Sequence, residues 1–490
     1  MYSSLNTDQK AAIDTVLANF VSRSPVFISG KAGTGKSYVI NCLKEYFKKE
    51  KVPFLVTAST GIASILIGGK TLHSAFSVFS SNEKYFSGLS PTNINGKAMA
   101  LCEVLFVDEV TMVTKEIFNL IDKKLREIRG QIVDKRFINY SFGGVMLILT
   151  GDLGQVPCVT KKGDDISEFN AMFNHMDEFK KFNNIALTKL MRQNLSDDDP
   201  FIKLLNEVRN YKDGENLSES SISTIKNRFV KINSDDDYYN IVYDFVKDDG
   251  MVIFYKNKSC ESYNKKIFIS LAEANSLDVL RNKGSLIVQR KSSYMHGNET
   301  TKTLASEREN TFYISMLNKR ESSSLVPFCF EFTIGSRVML LKNIDVSSGL
   351  VNGRRGVVKS VLTEPQTKLI SGILVAFEAI SDFPLQEELI PIMKVDTYTR
   401  CNGSTYSFYQ FPLKLCYSVT AHKSQGQTLK KVAICVDEKA FAHGSFYVAL
   451  SRVKSMDDIM FFGKSFPEKG PIIHSNEFIS DFNYKIAHDL

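Results

Sequence analysis

Over the first 190 residues, short apolar runs alternate with amphipathic stretches. Residues 25–29 (PVFIS), 54–59 (FLVTAS), 104–107 (VLFV), 145–150 (VMLILT) and 185–187 are apolar at consecutive positions. That pattern predicts short strands covered on both faces. Residues 38–49 and 115–129 carry apolar side chains at helical spacing, with Lys and Glu between them. Strand, helix, strand in this rhythm predicts a parallel sheet flanked by helices. Residues 76–100 break the rhythm with Ser, Asn, Gly and Pro, and are expected to form a loop-rich insertion.

Further along, residues 197–240 read as polar helices, with Asp197, Asp198 and Asp199 marking a turn. A second α/β rhythm starts at MVIFY (251–255) and is then interrupted by a Ser-, Asn- and Lys-rich stretch at 282–331. Short alternating strands at 336–341, 356–360 and 373–377, with turns at Asn352-Gly353 and Asn402-Gly403, predict a small β-barrel. The α/β rhythm resumes at 414–420, 432–436, 446–450 and 459–462. The simplest architecture is two α/β domains, the second carrying a β insertion. No repeat of 20–50 residues is visible.

Composition narrows this picture only slightly. A chain of 490 residues has room for about three domains at roughly 150 residues each. Hydrophobic residues at 43% and charged residues at 23% are globular values, which exclude a disordered tail or a fibre. No apolar run approaches the roughly 20 residues that cross a bilayer, and the first ten residues are polar, so a soluble intracellular protein without membrane contact is expected. Sixty-one Lys and Arg against 54 Asp and Glu give +7. That excess permits a polyanionic partner without demanding one. The 8 cysteines are scattered without C-x-x-C pairs, which argues against zinc modules and disulfides and for free thiols in a reducing compartment.

The sharpest chemical signal is GKAGTGKS over residues 30–37, after a predicted strand and before a predicted helix. Gly30, Gly33 and Gly35, with Thr34 between them, let backbone N–H groups wrap phosphates at a helix N-terminus. Lys36 then reaches the β- and γ-phosphates of ATP, and the Ser37 hydroxyl ligands Mg²⁺. The apolar strand VLFV ends in Asp108-Glu109. Asp108 is placed to hold the Mg²⁺ shell and Glu109 to orient or deprotonate the attacking water. Gln155, in the GDLGQ loop after the next strand, can sense the γ-phosphate through its amide.

In this order the motifs resemble those of the Pif-type superfamily 1B DNA helicases, relatives of the RecD-like enzymes. The likeness runs nearly end to end. LNTDQ at 5–9 resembles the Q motif, whose glutamine, Gln9 here, reads adenine. TASTGIA (57–63) and GKTLHS (69–74) resemble motif Ia and its neighbour, Asp108-Glu109 with Met112-Val113 resembles motif II, and Phe142-Gly143-Gly144 resembles the end of the Pif-type signature. The segment from Leu187-Thr188 to Arg192-Gln193 resembles motif IV, with Arg192 as a first arginine finger. Residues 338–343 and 349–353 resemble the entry to an SH3-like insert. AHKSQGQTL (421–429) resembles motif V, with Gly426 and Gln427 at the nucleotide. YVALSR (447–452) resembles motif VI, with Arg452 as the second finger. Two departures stand out: Cys158 replaces the family's second proline after motif III, and Leu153 and Gly154 replace two aromatics. No long terminal extension like those of larger relatives is apparent.

The resemblance implies two RecA-like P-loop motor domains. The first, 1–190, would carry a small wedge insertion at about 76–100. The second, 191–281 and 413–490, would carry an insertion at 282–412 that includes an SH3-like β-barrel at about 345–412. The implied activity is ATP-dependent 5′-to-3′ unwinding of forked duplexes by a monomer moving on single-stranded DNA, in replication, repair or recombination, with G-quadruplex DNA as a further substrate. Thr60, Gly61, His73, Ser74, His422, Lys423, Ser424 and Thr428 are the expected strand contacts. Since the chain has no tryptophan, Phe76 is the candidate for base stacking. Three other readings stay open: an ATP-driven assembly switch, a translocase that strips proteins from DNA, and an accessory subunit of a nuclease.

Overall fold

A computed structural model describes residues 4–81, 84–157, 182–193, 195–211, 215–294, 297–319, 326–346, 348–379, 389–401, 404–438, 442–467 and 470–471. Cys158 and the Asn402-Gly403 turn lie outside these. The chain divides into two compact units: residues 1–234, 245–255 and 421–490, and residues 235–244 and 256–420.

The first unit begins with α1 (Thr7–Phe20), β1 (Val26–Gly30), α2 (Lys36–Lys49), β2 (Phe54–Ala58), α3 (Gly61–Leu66), β3 (Lys70–Thr71) and α4 (Leu72–Ala75). A ribbon of β4 (Val78–Ser81) and β5 (Lys84–Ser87) precedes α5 (Ile94–Leu101), β6 (Val104–Asp108), α6 (Lys115–Ile132), β7 (Met146–Gly151) and β8 (Asn183–Leu187). Then come α7 (Pro200–Arg209), α8 (Glu219–Lys226), β9 (Phe229–Lys231) and β10 (Met251–Phe254). The unit closes with α9 (Ala421–Ser424), β11 (Val432–Cys435), α10 (Ser445–Leu450) and β12 (Ile459–Gly463).

Six strands form a parallel sheet in the order β3-β2-β6-β7-β1-β8. Its period-2 pleat divides the apolar runs between two cores. Val26, Ile28, Val104, Phe106, Met146 and Ile148 pack with Val16 of α1 and Val39, Ile40 and Leu43 of α2. Phe27, Leu105, Val107, Leu147 and Leu149 pack on the opposite face with Ile117, Ile121, Leu125 and Ile128 of α6. The α6 residues recur at helical spacing, and Thr114 caps that helix by accepting from Ile117 N–H at 3.3 Å. Because these strands are parallel, the turns that follow β1, β6 and β7 open at one edge of the sheet, where such folds bind ligands. A second parallel set, β10-β11-β12-β9, completes the expected α/β class. Among the described residues no helix is long and apolar enough to cross a membrane.

Two expectations need correction. Residues 76–100 are more ordered than a loop-rich insertion, since they supply the β4–β5 ribbon and most of α5. Their Ser, Asn and Gly residues serve as caps and close approaches. Asn93 accepts from Gly96 N–H at 2.7 Å, and a Cβ on Gly96 would lie 1.8 Å from the Ser90 carbonyl oxygen. Nor do residues 345–412 make one β structure. In the second unit, strands Arg337–Leu340, Arg355–Thr363, Ile370–Phe377, Ile390–Met393 and Leu413–Leu415 form a five-stranded antiparallel sheet. Strands Val395–Cys401 and Ser404–Gln410 instead join Ser285–Tyr294 and Gly297–Leu304 in a four-stranded sheet. The weakly periodic stretch 282–331 therefore holds a long hairpin and the helix Glu307–Lys319.

Candidate active site

The turn between β1 and α2 can be traced only by glycine at two points, since Gly33 and Gly35 have φ of +88° and +89°. Space is equally tight. A Cβ would lie 2.6 Å from Thr34 Oγ1 at Gly30, 2.8 Å from Arg192 Cβ at Gly33 and 2.4 Å from Gln9 Nε2 at Gly35. Thr34 is buried and closes the turn by donating to the Lys31 carbonyl at 2.9 Å. Lys36 is 7% exposed, with Nζ donating to the carbonyls of Gly30 at 2.7 Å and Lys31 at 3.2 Å.

Asp108 ends β6, and Glu109 turns inward in the left-handed region at φ 52°. That conformation is uncommon for a non-glycine residue and concentrates at functional sites. Asp108 Oδ1 accepts from Glu109 N–H at 2.9 Å and from the Thr150 hydroxyl. The Ser37 hydroxyl bonds the same carboxylate. Glu109 Oε2 accepts from Gln425 Nε2 at 3.0 Å. Burial pushes both carboxyls above the ordinary range, and Asp108 adds to the rise at Glu109; the Lys36 ammonium opposes both. Gln155 is 2% exposed, and its Oε1 has no hydrogen-bond partner.

Both arginines face the same space. A cavity of about 360 Å³ is lined by Lys36, Ser37, Asp108, Glu109, Gln155, Arg192 and Arg452, with Gly33 and Gly35 beside them. Arg192 donates from Nη1 to the Ser451 carbonyl at 2.7 Å. The backbone N–H groups of Met191 and Arg192 bond the Gly33 carbonyl at 2.8 and 3.1 Å. Arg452 is 1% exposed and donates to the carbonyls of Val448, Ser424 and Gln427 at 2.8, 3.2 and 3.1 Å. Burial, then the neighbouring Arg192, pushes Arg452 down, while Glu109 pulls it back.

The donor set fits Mg²⁺. A hydroxyl and a carboxylate beside a phosphate loop are hard oxygen ligands for an ion that keeps its other positions for phosphate and water. Among the described residues no group of three or more His, Cys, Asp or Glu could hold a metal by itself.

Other candidates are placed differently. Gln9 is 2% exposed and does not line the cavity. Its Nε2 donates to the Thr34 carbonyl at 3.1 Å, while its Oε1 accepts from Asn6 N–H at 3.2 Å, so it braces the phosphate loop. Gly426 lines the cavity at φ +78°. Gln427 does not line it, and donates to the Lys423 carbonyl at 2.7 Å. Thr428, expected at the strand, lines the cavity instead.

Among the strand candidates, Thr60 caps α3 by accepting from Ala63 N–H at 3.2 Å, and Gly61 opens that helix. His73 and Ser74 are exposed in α4, and His422 and Lys423 are half-buried in α9. Burial, then His443, pushes His422 to about 4, so it meets a strand as a neutral donor near pH 7. Two candidates are corrected outright. Phe76 is fully buried in the core with Leu89, Met99 and Phe118, because α4 turns it under the ribbon, and it has no face to offer a base. Ser424 is fully buried, with its hydroxyl on the Ala421 carbonyl at 2.8 Å. Exposed aromatic faces lie instead on the ribbon, where Phe79 and Phe86 stack with centroids 5.8 Å apart.

Gln425, Met191 and Lys454 also belong to this site and were not foreseen. Gln425 could have been suspected as a polar residue beside a glycine turn, but Met191 and Lys454 carry no signal of their own.

Known proteins share this architecture. A family model described as PIF1-like helicase matches residues 4–218, and one described as DNA helicase Pif1, 2B domain, matches residues 316–361. The Homo sapiens ATP-dependent DNA helicase PIF1 is 28% identical over 463 residues, covering 93% of this chain and 60% of the human protein. The chain thus spans about three fifths of the length of curated relatives it matches. The crystal structure of Pif1 helicase from Candida albicans superposes with a TM-score of 0.68 at 23% identity, covering 99% of each chain. That of Bacteroides Pif1 bound to ssDNA gives 0.65 at 25% identity, covering 99% of this chain and 97% of the other.

Proposed function

We propose, from the premise that the chain belongs to the Pif1-like helicase family, that it hydrolyses ATP to move 5′ to 3′ along single-stranded DNA and unwind duplexes. The observation that carries this reading is the single cavity shared by Lys36, Glu109 and Gln155 with Arg192 and Arg452. These groups come from segments hundreds of residues apart. Ser37 and Asp108 would hold Mg²⁺, which would offset phosphate charge when bound. Lys36 exchanges its loop carbonyls for phosphate oxygens. Glu109, whose proton affinity burial raises, takes a proton from the attacking water, and the free Gln155 oxygen orients that water. Arg192 and Arg452 stabilise charge that develops in the transition state, so hydrolysis weakens their hold and can drive hinge motion.

The Bacteroides relative bound to ssDNA supports a single-stranded track. On this reading Thr60, Gly61, His73, Ser74, His422 and Lys423 grip it, and the ribbon with Phe79 and Phe86 is the wedge. The division into 1–190, 191–281 with 413–490, and 282–412 belongs to the same proposal. So do forked and G-quadruplex substrates, a monomeric motor, and roles in replication, repair or recombination.

Strand displacement on forked duplexes tests it. Duplexes with a 5′ tail should be unwound in the presence of ATP and those with only a 3′ tail should not. Efficient unwinding from a 3′ tail overturns the direction. Hydrolysis without displacement of any duplex favours an ATP switch.

A further inference from the structure

A buried hydroxyl that the proposed chemistry does not use joins three parts of the site. Asp152, one residue past β7, has a fully buried side chain. Its Oδ1 accepts from Gly154 N–H at 3.0 Å and from Arg209 Nε and Nη2 at 3.2 and 2.9 Å. Its Oδ2 accepts from the Tyr447 hydroxyl at 3.2 Å and from Gln155 Nε2 at 3.5 Å. The same hydroxyl accepts from Ala32 N–H in the phosphate loop at 3.0 Å. Backbone contact follows the same line. Gly444, which caps α10 at φ +72°, lies so close that a Cβ would sit 2.5 Å from the Gly154 oxygen and 2.7 Å from the Gln155 carbonyl carbon. Lys31 adds a tie to α7 by donating to Asn206 Oδ1 at 2.7 Å, one turn before Arg209.

A glutamine amide is symmetric enough to flip unless something fixes which end is which. Here the carboxylate takes the NH₂ end, which leaves Oε1 as the end without a partner. Arg209 keeps Asp152 ionised against its burial, so the carboxylate stays an acceptor. We propose that Tyr447 is a positioning residue for Gln155: its hydroxyl locks Asp152 between the phosphate loop and α10, and thereby aims the Gln155 oxygen at the nucleotide. Tyr447 and Arg452 lie on and just beyond α10, so movement of that helix shifts the second arginine and the glutamine together. Arg209 is the second member of the device.

This inference rests on the ATPase reading, and a double-mutant cycle separates the two. Tyr447→Phe keeps the buried ring and removes one oxygen. DNA-stimulated ATP hydrolysis should lose about 10–100-fold in kcat, the scale of a misplaced reacting group, with KM within about twofold. In a Gln155→Ala background the same change should cost little more, because the group it aims is gone. A merely structural tyrosine would lower the two rates by the same factor, and that outcome overturns the proposal, as does a normal kcat in Tyr447→Phe. If Tyr447→Phe does not fold, Arg209→Lys carries the same cycle, since one ammonium cannot replace the two-pronged contact. An unaltered chain that hydrolyses no ATP overturns the ATPase reading itself, and this inference with it.

Discussion

At the cavity around Lys36 and Glu109, charged and amide side chains from distant segments converge on one space. Along residues 60–76 and 421–427, small polar residues turn back onto their own backbone. Lys36, Glu109, Arg192 and Arg452 all line the cavity, whereas the hydroxyls of Thr60 and Ser424 bond a neighbouring peptide and Phe76 sits in the core. The difference follows from what each task requires. A phosphate site needs a backbone trace that only certain spacings allow, so residue type and position are bound together. A sequence-tolerant grip on a strand needs only exposed donors along a path, and exposure is a property of packing that spacing does not encode.

The largest expected effect tests whether convergence means catalysis. Arg192→Ala and Arg452→Ala should each lower DNA-stimulated hydrolysis by about 10³-fold or more, the scale of an arginine finger, while affinity for a non-hydrolysed ATP analogue changes far less. Lys36→Ala should weaken both. The two arginines differ in a way that sharpens the test. Arg192 gives up one carbonyl contact, to Ser451, but Arg452 gives up contacts to three carbonyls and to the Ser451 hydroxyl. Arg452→Ala should therefore also lower the melting temperature, and Arg452→Lys should recover little of either loss. Near-normal hydrolysis in both alanine variants would mean that the cavity gathers charge without using it.

Next in size is the contrast between two phenylalanines on the other side of the comparison. Phe76→Ala should cost about 3–5 kcal/mol in urea unfolding, as for a phenylalanine removed from a packed core. Exposed Phe79→Ala should stay within about 0.5 kcal/mol of the parent, yet reduce duplex unwinding more than hydrolysis if the ribbon is the wedge. A stable Phe76→Ala that has lost affinity for single strands would reverse the assignment.

These two residues also show what could be read in advance. Five strands of the first sheet were legible from their apolar runs, and β6 and β7 are buried along their whole length, whereas the short β3, Lys70–Thr71, carries no such run. The cavity was legible where a motif implies its own geometry, as at Gly33, Gly35, Lys36 and Asp108. It was not legible where a side chain acts through what a distant segment brings to it. Gln425 reaches Glu109 across 316 positions, and Tyr447 reaches Asp152 across 295. The β insertion was misread for a related reason. Strand partners such as Ser285 and Tyr409 are chosen by long-range pairing that local alternation leaves undetermined.

The smallest expected effect concerns Thr60, which stands on the boundary of the comparison. Its oxygen accepts from Ala63 N–H and so caps α3, but a hydroxyl that accepts one bond can still donate another. Thr60→Ala should remove both, costing about 1 kcal/mol of stability through the lost cap and a few-fold in affinity for single-stranded DNA. Thr60→Ser should restore both. Thr60→Asp separates them: a carboxylate caps as well as a hydroxyl, has no proton to give when ionised, and repels phosphate. Stability should then be kept while binding, read by fluorescence anisotropy at fixed salt, falls further than in Thr60→Ala. If Thr60→Asp binds as tightly as the parent, the hydroxyl serves the helix alone, and the grip on the strand must be sought among the exposed His73 and Ser74.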